Sequence, residues 1–305
     1  MKTSNKAKSS KVEQKRKASY HIDFIYCAAQ TMTLPLLHFV PGNSFPSGTY
    51  NSMLTGLQDR YAVQALPIHA HNPDFPVADG WQALVDELKQ TLCARYTKPV
   101  ILVGHSMGGL LSLMLARERP DLVRCIVLLD SPVVRGWRAL LLQIAKRLRF
   151  DLRFSPAHLS QRRRDAWPDA GAAYEHYVSK PLFAIWPEAV LRDYVEHGIT
   201  PLPDGEGVTL RFSRDIETAV YRTLPHHIGG LVQHPFPVPV GFVGGASSLE
   251  CRMAGLDGVR RLVGRHFTII PGGHLFPMET PAAAAEAIHA MIEDLLDADQ
   301  VAGTG

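Results

Sequence analysis

Two short stretches of this sequence carry residues able to do covalent chemistry. One is Gly104-His105-Ser106-Met107-Gly108, a G-x-S-x-G pattern, and the other is Pro271-Gly272-Gly273-His274. A serine hydroxyl is a weak nucleophile at neutral pH, so it needs an imidazole to take its proton and later return it to the leaving group. Ser106 and His274 are the pair read for that exchange. Attack on a carbonyl builds negative charge on its oxygen, and the amide of Met107, where the following helix begins, is placed to meet that charge. The imidazole in turn needs a buried carboxylate to hold one tautomer and to stabilise its protonated form. Together these groups point to acyl transfer through a serine, a chemistry that calls for no cofactor.

Such groups work only if the chain holds them at one edge of a rigid scaffold. Residues 100–103 are a continuous apolar, β-branched run of the kind expected of a strand buried on both faces, and helical periodicity begins at Met107. The glycines between them permit a sharp turn that lifts the serine into a cleft. Upstream, residues 34–40 read as a strand, 41–50 as a Gly- and Pro-rich loop, and 61–68 as a second strand. Residues 78–96 read as a helix, with Trp81, Leu84, Val85, Leu88 and Leu92 on one face. A strand at 123–130 ends at Asp130-Ser131-Pro132, because proline cannot continue it. Strands resume at 238–243 and 267–270, and a helix at 281–296 closes the pattern. Strands alternating with helices predict an α/β fold, a mostly parallel sheet flanked by helices.

Between residues 133 and 234 the alternation stops. The pattern there is helical, with Trp137, Leu140, Leu141, Ile144 and Leu148 on one face. The domain reading is therefore a core of 21–132 and 236–305, a helical cap inserted at 133–235, and a basic disordered tail at 1–20. Tyr174, Tyr177, Phe183, Trp186 and Tyr194 make the insertion aromatic, able to roof an apolar acyl pocket or to form its own core. Arg162, Arg163 and Arg164 read as a solvated face. His69 and His71 read as a polar loop, and His226, His227 and His234 lack the cysteine or carboxylate spacing of a metal site, so no metal is expected.

The chain has 305 residues, 46% hydrophobic, enough to bury a full core. Residues 1–17 hold seven Lys or Arg and one Glu, more than the whole net charge of +3, so the remainder is net acidic and no nucleic-acid partner is expected. No apolar run reaches membrane-spanning length. Cys27, Cys93, Cys125 and Cys251 lie far apart, the usage of reduced thiols, and the expected location is the cytoplasm.

With its strand-elbow-helix at 100–116, its Gly-Gly-His loop and its insertion, residues 34–296 resemble the α/β-hydrolase superfamily, among them the small capped serine hydrolases. The resemblance implies the catalytic pair Ser106 and His274 and two further assignments. The second oxyanion donor falls to Asn43, after Pro41-Gly42, where proline stands in place of the superfamily's usual histidine. The acid is either Asp130, at the strand end where some members carry it, or Glu250, in the loop where most do; Gly244 to Glu250 contains no Asp. The shorter, strand-held Asp130 is preferred, since a loop glutamate must order a longer side chain. Only about residues 21–28 are available for the strand pair that usually precedes the oxyanion strand. The implied activity is hydrolysis of a small-molecule, apolar carboxylic ester through an acyl-enzyme. Alternatives are carbon–carbon bond hydrolysis or acyl transfer on the same triad, or a ligand-binding protein on this scaffold.

Overall fold

The computed structural model describes residues 34–136, 156–203, 205–232 and 235–303. Nine strands are described: β1 Leu36–Val40, β2 Ala62–Ala65, β3 Val100–His105, β4 Val123–Leu129, β5 Ala166–Trp167, β6 Ile199–Pro201, β7 Val208–Leu210, β8 Val240–Gly245 and β9 Phe267–Ile270. The helices that matter here are α1 Gln82–Arg95, α2 Met107–Glu118, α3 Glu188–Gly198, α4 Arg214–Arg222, α5 Leu249–Ala254 and α6 Pro281–Gly303.

Six strands form one sheet in the order β2-β1-β3-β4-β8-β9, every neighbouring pair parallel. The chain runs outward from β1 to β2, then returns to place β3 on the other side of β1. This reversal opens a crevice at the carboxyl ends of β1 and β3, where open α/β sheets bind ligands. Ser106 follows β3 directly.

Alternate residues serve the two faces. Leu37, Phe39, Ile101, Val103, Val127 and Val243 pack with Ile288, Ile292 and Leu295 of α6, which recur at helical spacing. Val40, Val100, Leu102, Ile126, Leu128 and Phe242 face the other way, onto Leu84 and Leu88 of α1 and Leu111 and Leu115 of α2. All six residues of β3 are buried, as expected of a strand covered on both faces.

Several elements differ from the sequence reading; the strand expected at 238–243 runs from Val240 to Gly245, beginning after Pro239, and the closing helix extends to Gly303. The strand expected at 61–68 runs only from Ala62 to Ala65, ending before Pro67. The helix expected from residue 78 begins as a 3-10 turn, Asp79–Trp81, in which Trp81 takes a left-handed φ of 63°. Its indole donates to Val220 O at 3.2 Å and Thr223 Oγ1 at 3.1 Å, so contacts with α4 override local helix preference. The segment between β4 and β8 is not purely helical: β5, β7 and β6 form a small antiparallel sheet. Strands of two or three residues are too short to leave an alternating signature. The helical face from Trp137 to Leu148, residues 21–28 and the basic tail lie outside the described residues. Among the described residues no helix is long and apolar enough to cross a membrane.

Candidate active site

Ser106 sits between β3 and α2 at φ 52°, ψ −113°, a backbone conformation rarely adopted by residues other than glycine. Its amide donates to Leu129 O at 2.9 Å, which ties the turn to β4. Close packing explains two neighbouring glycines. A Cβ on Gly104 would lie 2.5 Å from the carbonyl of Gly108, and one on Gly108 would lie 2.0 Å from Val40 O. The start of α2 thus presses against the strand before the 41–50 loop.

His274 lies in the loop after β9. Its Nε2 is 3.1 Å from Ser106 Oγ and its Nδ1 is 2.7 Å from Asp130 Oδ1. A carboxylate only accepts, so Nδ1 carries the proton and Nε2 is left to accept from the serine, the tautomer a base requires. Asp130 is fully buried directly after β4. Its Oδ2 accepts from Gly245 N at 2.8 Å, and its Oδ1 from Ser248 Oγ at 2.6 Å and the Cys251 thiol at 3.2 Å. Burial alone pushes this carboxyl up, but the hydrogen bond and charge of His274, with Gly245 and Ser248, outweigh it and hold the group below its ordinary range. Burial, and after it the same carboxylate, pushes the Cys251 thiol up.

Glu250 is close but differently placed. Its Oε2 stands 4.0 Å from the same Nδ1, beyond hydrogen-bond reach, and its side chain is 51% exposed where that of Asp130 is 0%. The segment from the end of β8 into α5 therefore supplies Gly245, Ser248 and Cys251, which hold the Asp130 carboxylate delivered from the end of β4. Ser248 was visible in the sequence only as a residue before a short helix, where its hydroxyl also accepts from Cys251 N at 3.1 Å.

Asn43 is nearly buried at the end of β1, and its side-chain amide donates to Glu217 O at 3.1 Å. Its backbone N–H and that of Met107 take no backbone acceptor among the described residues. Both lie in segments packed against the elbow, since the Gly108 Cβ position is also 2.8 Å from Pro41 O.

The arginine run is not uniformly solvated. Arg162 and Arg164 are exposed, whereas Arg163 turns inward, bonding Glu217 Oε2 at 2.8 Å, Tyr194 OH at 2.6 Å and Tyr177 OH at 3.2 Å. Tyr177, Phe183, Trp186 and Tyr194 form a buried aromatic cluster, while Tyr174 lies beneath Arg192. Phe45 of the 41–50 loop joins that cluster at 6.1 Å from Trp186 and 5.8 Å from Tyr194, ring centre to ring centre.

Several other histidines make contacts of their own away from this triad. His69 pairs with Glu87 at 3.3 Å, and His71 donates to His69 O at 2.8 Å while accepting from Ser213 N at 2.9 Å. His226 and His227 contact each other edge to face, and His234 lies outside the described residues. Among the described residues one group, Asp193, Glu196 and His197, brings three ligand atoms within 4.8 Å of one another; His197 there already bonds Asn51 at 3.1 Å.

Comparison with known proteins agrees with this architecture. The chain is 35% identical over 106 residues to the mouse sn-1-specific diacylglycerol lipase ABHD11, covering 33% of this chain and 34% of that protein. It is 30% identical over 98 residues to 2-(acetamidomethylene)succinate hydrolase of Mesorhizobium japonicum, covering 32% and 35%. These matches thus span about a third of each curated relative. The crystal structure of E-2-(acetamidomethylene)succinate hydrolase superposes with a TM-score of 0.68 at 24% identity, over 85% of this chain and 91% of that one. The sequence model of the alpha/beta hydrolase family matches residues 39–287, from β1 into α6, and the chain belongs to that family.

Proposed function

We propose that the protein is a serine hydrolase that cleaves carboxylic esters through an acyl-enzyme on Ser106. The observation that carries this reading is the unbroken hydrogen-bond chain from Ser106 Oγ through His274 to Asp130, with links of 3.1 and 2.7 Å. In the first half-reaction the Ser106 proton passes to His274 Nε2 as Oγ attacks the ester carbonyl. The resulting oxyanion faces the N–H groups of Met107 and Asn43. The imidazolium, stabilised by Asp130, then gives its proton to the departing alkoxide. Water enters, loses a proton to His274 and releases the acid by the same steps in reverse.

The absence of an Asp after β8 favours a ligand-binding protein on this scaffold, but Asp130, from the end of β4, brings a carboxylate to within 2.7 Å of His274 Nδ1. The charge around the site favours an uncharged acyl substrate. Arg163, the partly buried cation beside the aromatic cluster, is paired with Glu217, and the carboxylate of Glu250 stands near the histidine. A panel of p-nitrophenyl esters from acetate to long acyl chains, with one carboxylate-bearing ester, tests the reading. Turnover of the neutral esters that is lost in Ser106→Ala supports it; clear preference for the anionic ester overturns the charge argument, and absence of all turnover overturns the activity.

A further inference from the structure

We propose that Tyr50 and His105 are positioning residues, forming a buried relay that fixes the oxyanion loop against the loop carrying the base. This role rests on the serine-hydrolase reading of Ser106.

The relay joins three segments that are distant in sequence. His105 Nε2 lies 2.9 Å from the carbonyl oxygen of His274. A carbonyl only accepts, so Nε2 carries the proton and Nδ1 does not. Nδ1 therefore accepts from the Tyr50 hydroxyl at 2.8 Å, and the Tyr50 oxygen accepts from Gly42 N–H at 3.1 Å. Every donor in the series has an acceptor, and the direction follows from its two ends: Gly42 N–H, Tyr50 O–H, His105 N–H, His274 C=O. Gly42 immediately precedes Asn43, and His105 immediately precedes Ser106. One end of the relay thus sets the backbone of the oxyanion loop, the other sets the backbone of the base, and the middle is part of the elbow.

The relay is packed as well as bonded. Tyr50 and His105 are each 1% exposed. A Cβ on Gly42 would come within 2.8 Å of His105 Nδ1 and 3.2 Å of Tyr50 OH, so the loop backbone lies directly on the pair. Phe39 holds the Tyr50 ring at 4.6 Å, and the His105 ring lies 4.9 Å from that of His274. Burial, and secondarily the nearby His274, lowers the His105 pKa to about 3, while burial pushes the Tyr50 phenol up. Both stay neutral across the physiological range, and the relay keeps one protonation pattern. Nothing in it reaches the reacting atoms. Its contribution is to hold donors and base at the separation the transition state requires, where misplacement by about 1 Å can cost about 100-fold in rate.

The test compares Tyr50→Phe, His105→Gln and His105→Leu with wild type by ester kinetics, thermal unfolding and fluorophosphonate labelling. Tyr50→Phe keeps the ring and removes the bridging oxygen; kcat should fall ~10- to 100-fold with KM within about twofold. His105→Gln keeps an N–H toward His274 O and should recover most of the rate that His105→Leu loses. A merely structural role would lower the unfolding temperature while leaving kcat of the folded enzyme within about twofold of wild type, and that result overturns the proposal. If Tyr50→Phe does not fold, equal kcat in the two His105 variants overturns it instead. Failure of Ser106 to label in the wild type would remove the hydrolase reading and the relay with it, whereas a labelled, active wild type with unaffected variants removes the relay alone.

Discussion

Replacing Asp130 by asparagine changes one oxygen to an amide nitrogen with little change in volume, in a pocket where one neighbour, the Gly245 N–H, can only donate. The Oδ2 position faces the Gly245 N–H at 2.8 Å, and the Oδ1 position faces His274 Nδ1 at 2.7 Å, Ser248 Oγ at 2.6 Å and Cys251 Sγ at 3.2 Å. Asparagine has one oxygen for these demands. If it serves Gly245, its NH2 group faces Nδ1, which must then accept, and the imidazole proton moves to Nε2, where it blocks acceptance from Ser106. If it serves His274, two N–H donors confront each other at Gly245, at a cost of about 1–3 kcal/mol for the buried group left unpaired. The first arrangement avoids that penalty, so the wrong tautomer dominates. Turnover should fall by about 10⁴-fold, close to 5.5 kcal/mol in the barrier, with far-UV circular dichroism unchanged. Glu250→Gln should cost less than about fivefold, since an exposed pair at 4.0 Å contributes at most about 1 kcal/mol. Ester kinetics on both single variants and the double variant provide the assay. An Asp130→Asn enzyme within tenfold of wild type, beside an inactive Glu250→Gln enzyme, would refute the reasoning and move the acid to Glu250.

Three further outcomes follow from the packing and the buried charges. Gly108→Ala should destabilise the fold by about 3 kcal/mol in urea unfolding, because its Cβ would stand 2.0 Å from Val40 O, a backbone atom that cannot swing away. Arg163→Met leaves Glu217 buried without its partner and two phenols without a donor, and should cost about 3–5 kcal/mol by the same measurement. Burial lowers the pKa of both His38 and His105 from 6.5 to about 3, so the unfolded chain binds these protons first as pH falls. The stability from keeping them neutral is therefore present above pH 6.5 and lost progressively toward pH 3, at up to about 1.4 kcal/mol per pH unit for each histidine. Denaturation midpoints measured from pH 7 to pH 4 should fall along that slope, and His38→Asn should flatten it; a flat profile in the wild type would contradict the assignment.

How much of this was legible in the sequence depended on how local each signal is. β3 continues from its apolar run into the elbow, because a strand covered on both faces declares itself in its own residues, and the partly exposed edge strand β9 spans the predicted 267–270. The pairing of Ser106 with His274 followed from the order of motifs along an alternating chain, and the sheet brings the two together. What escaped notice depends on contacts across the chain. Trp81 leaves helical geometry because its indole reaches α4, and Arg163 turns inward because two phenols and Glu217 meet it there, although its neighbours Arg162 and Arg164 face solvent. The strands β5, β6 and β7 exist through pairing alone. Both candidate acids lie near His274, a proximity that spacing could not rank; the contacts of Asp130 with Gly245, Ser248 and Cys251 distinguish them.

The central claim is a covalent acyl intermediate on Ser106. Intact-mass spectrometry of the protein after acid quench with a slowly hydrolysed p-nitrophenyl ester, followed by peptide mapping, tests it directly. The account predicts one added acyl group, carried on Ser106 in the peptide that spans Gly104 to Gly108, absent from Ser106→Ala and cleared with time in the wild type. Ester turnover with no adduct on Ser106, or an adduct that persists in Ser106→Ala, would contradict it.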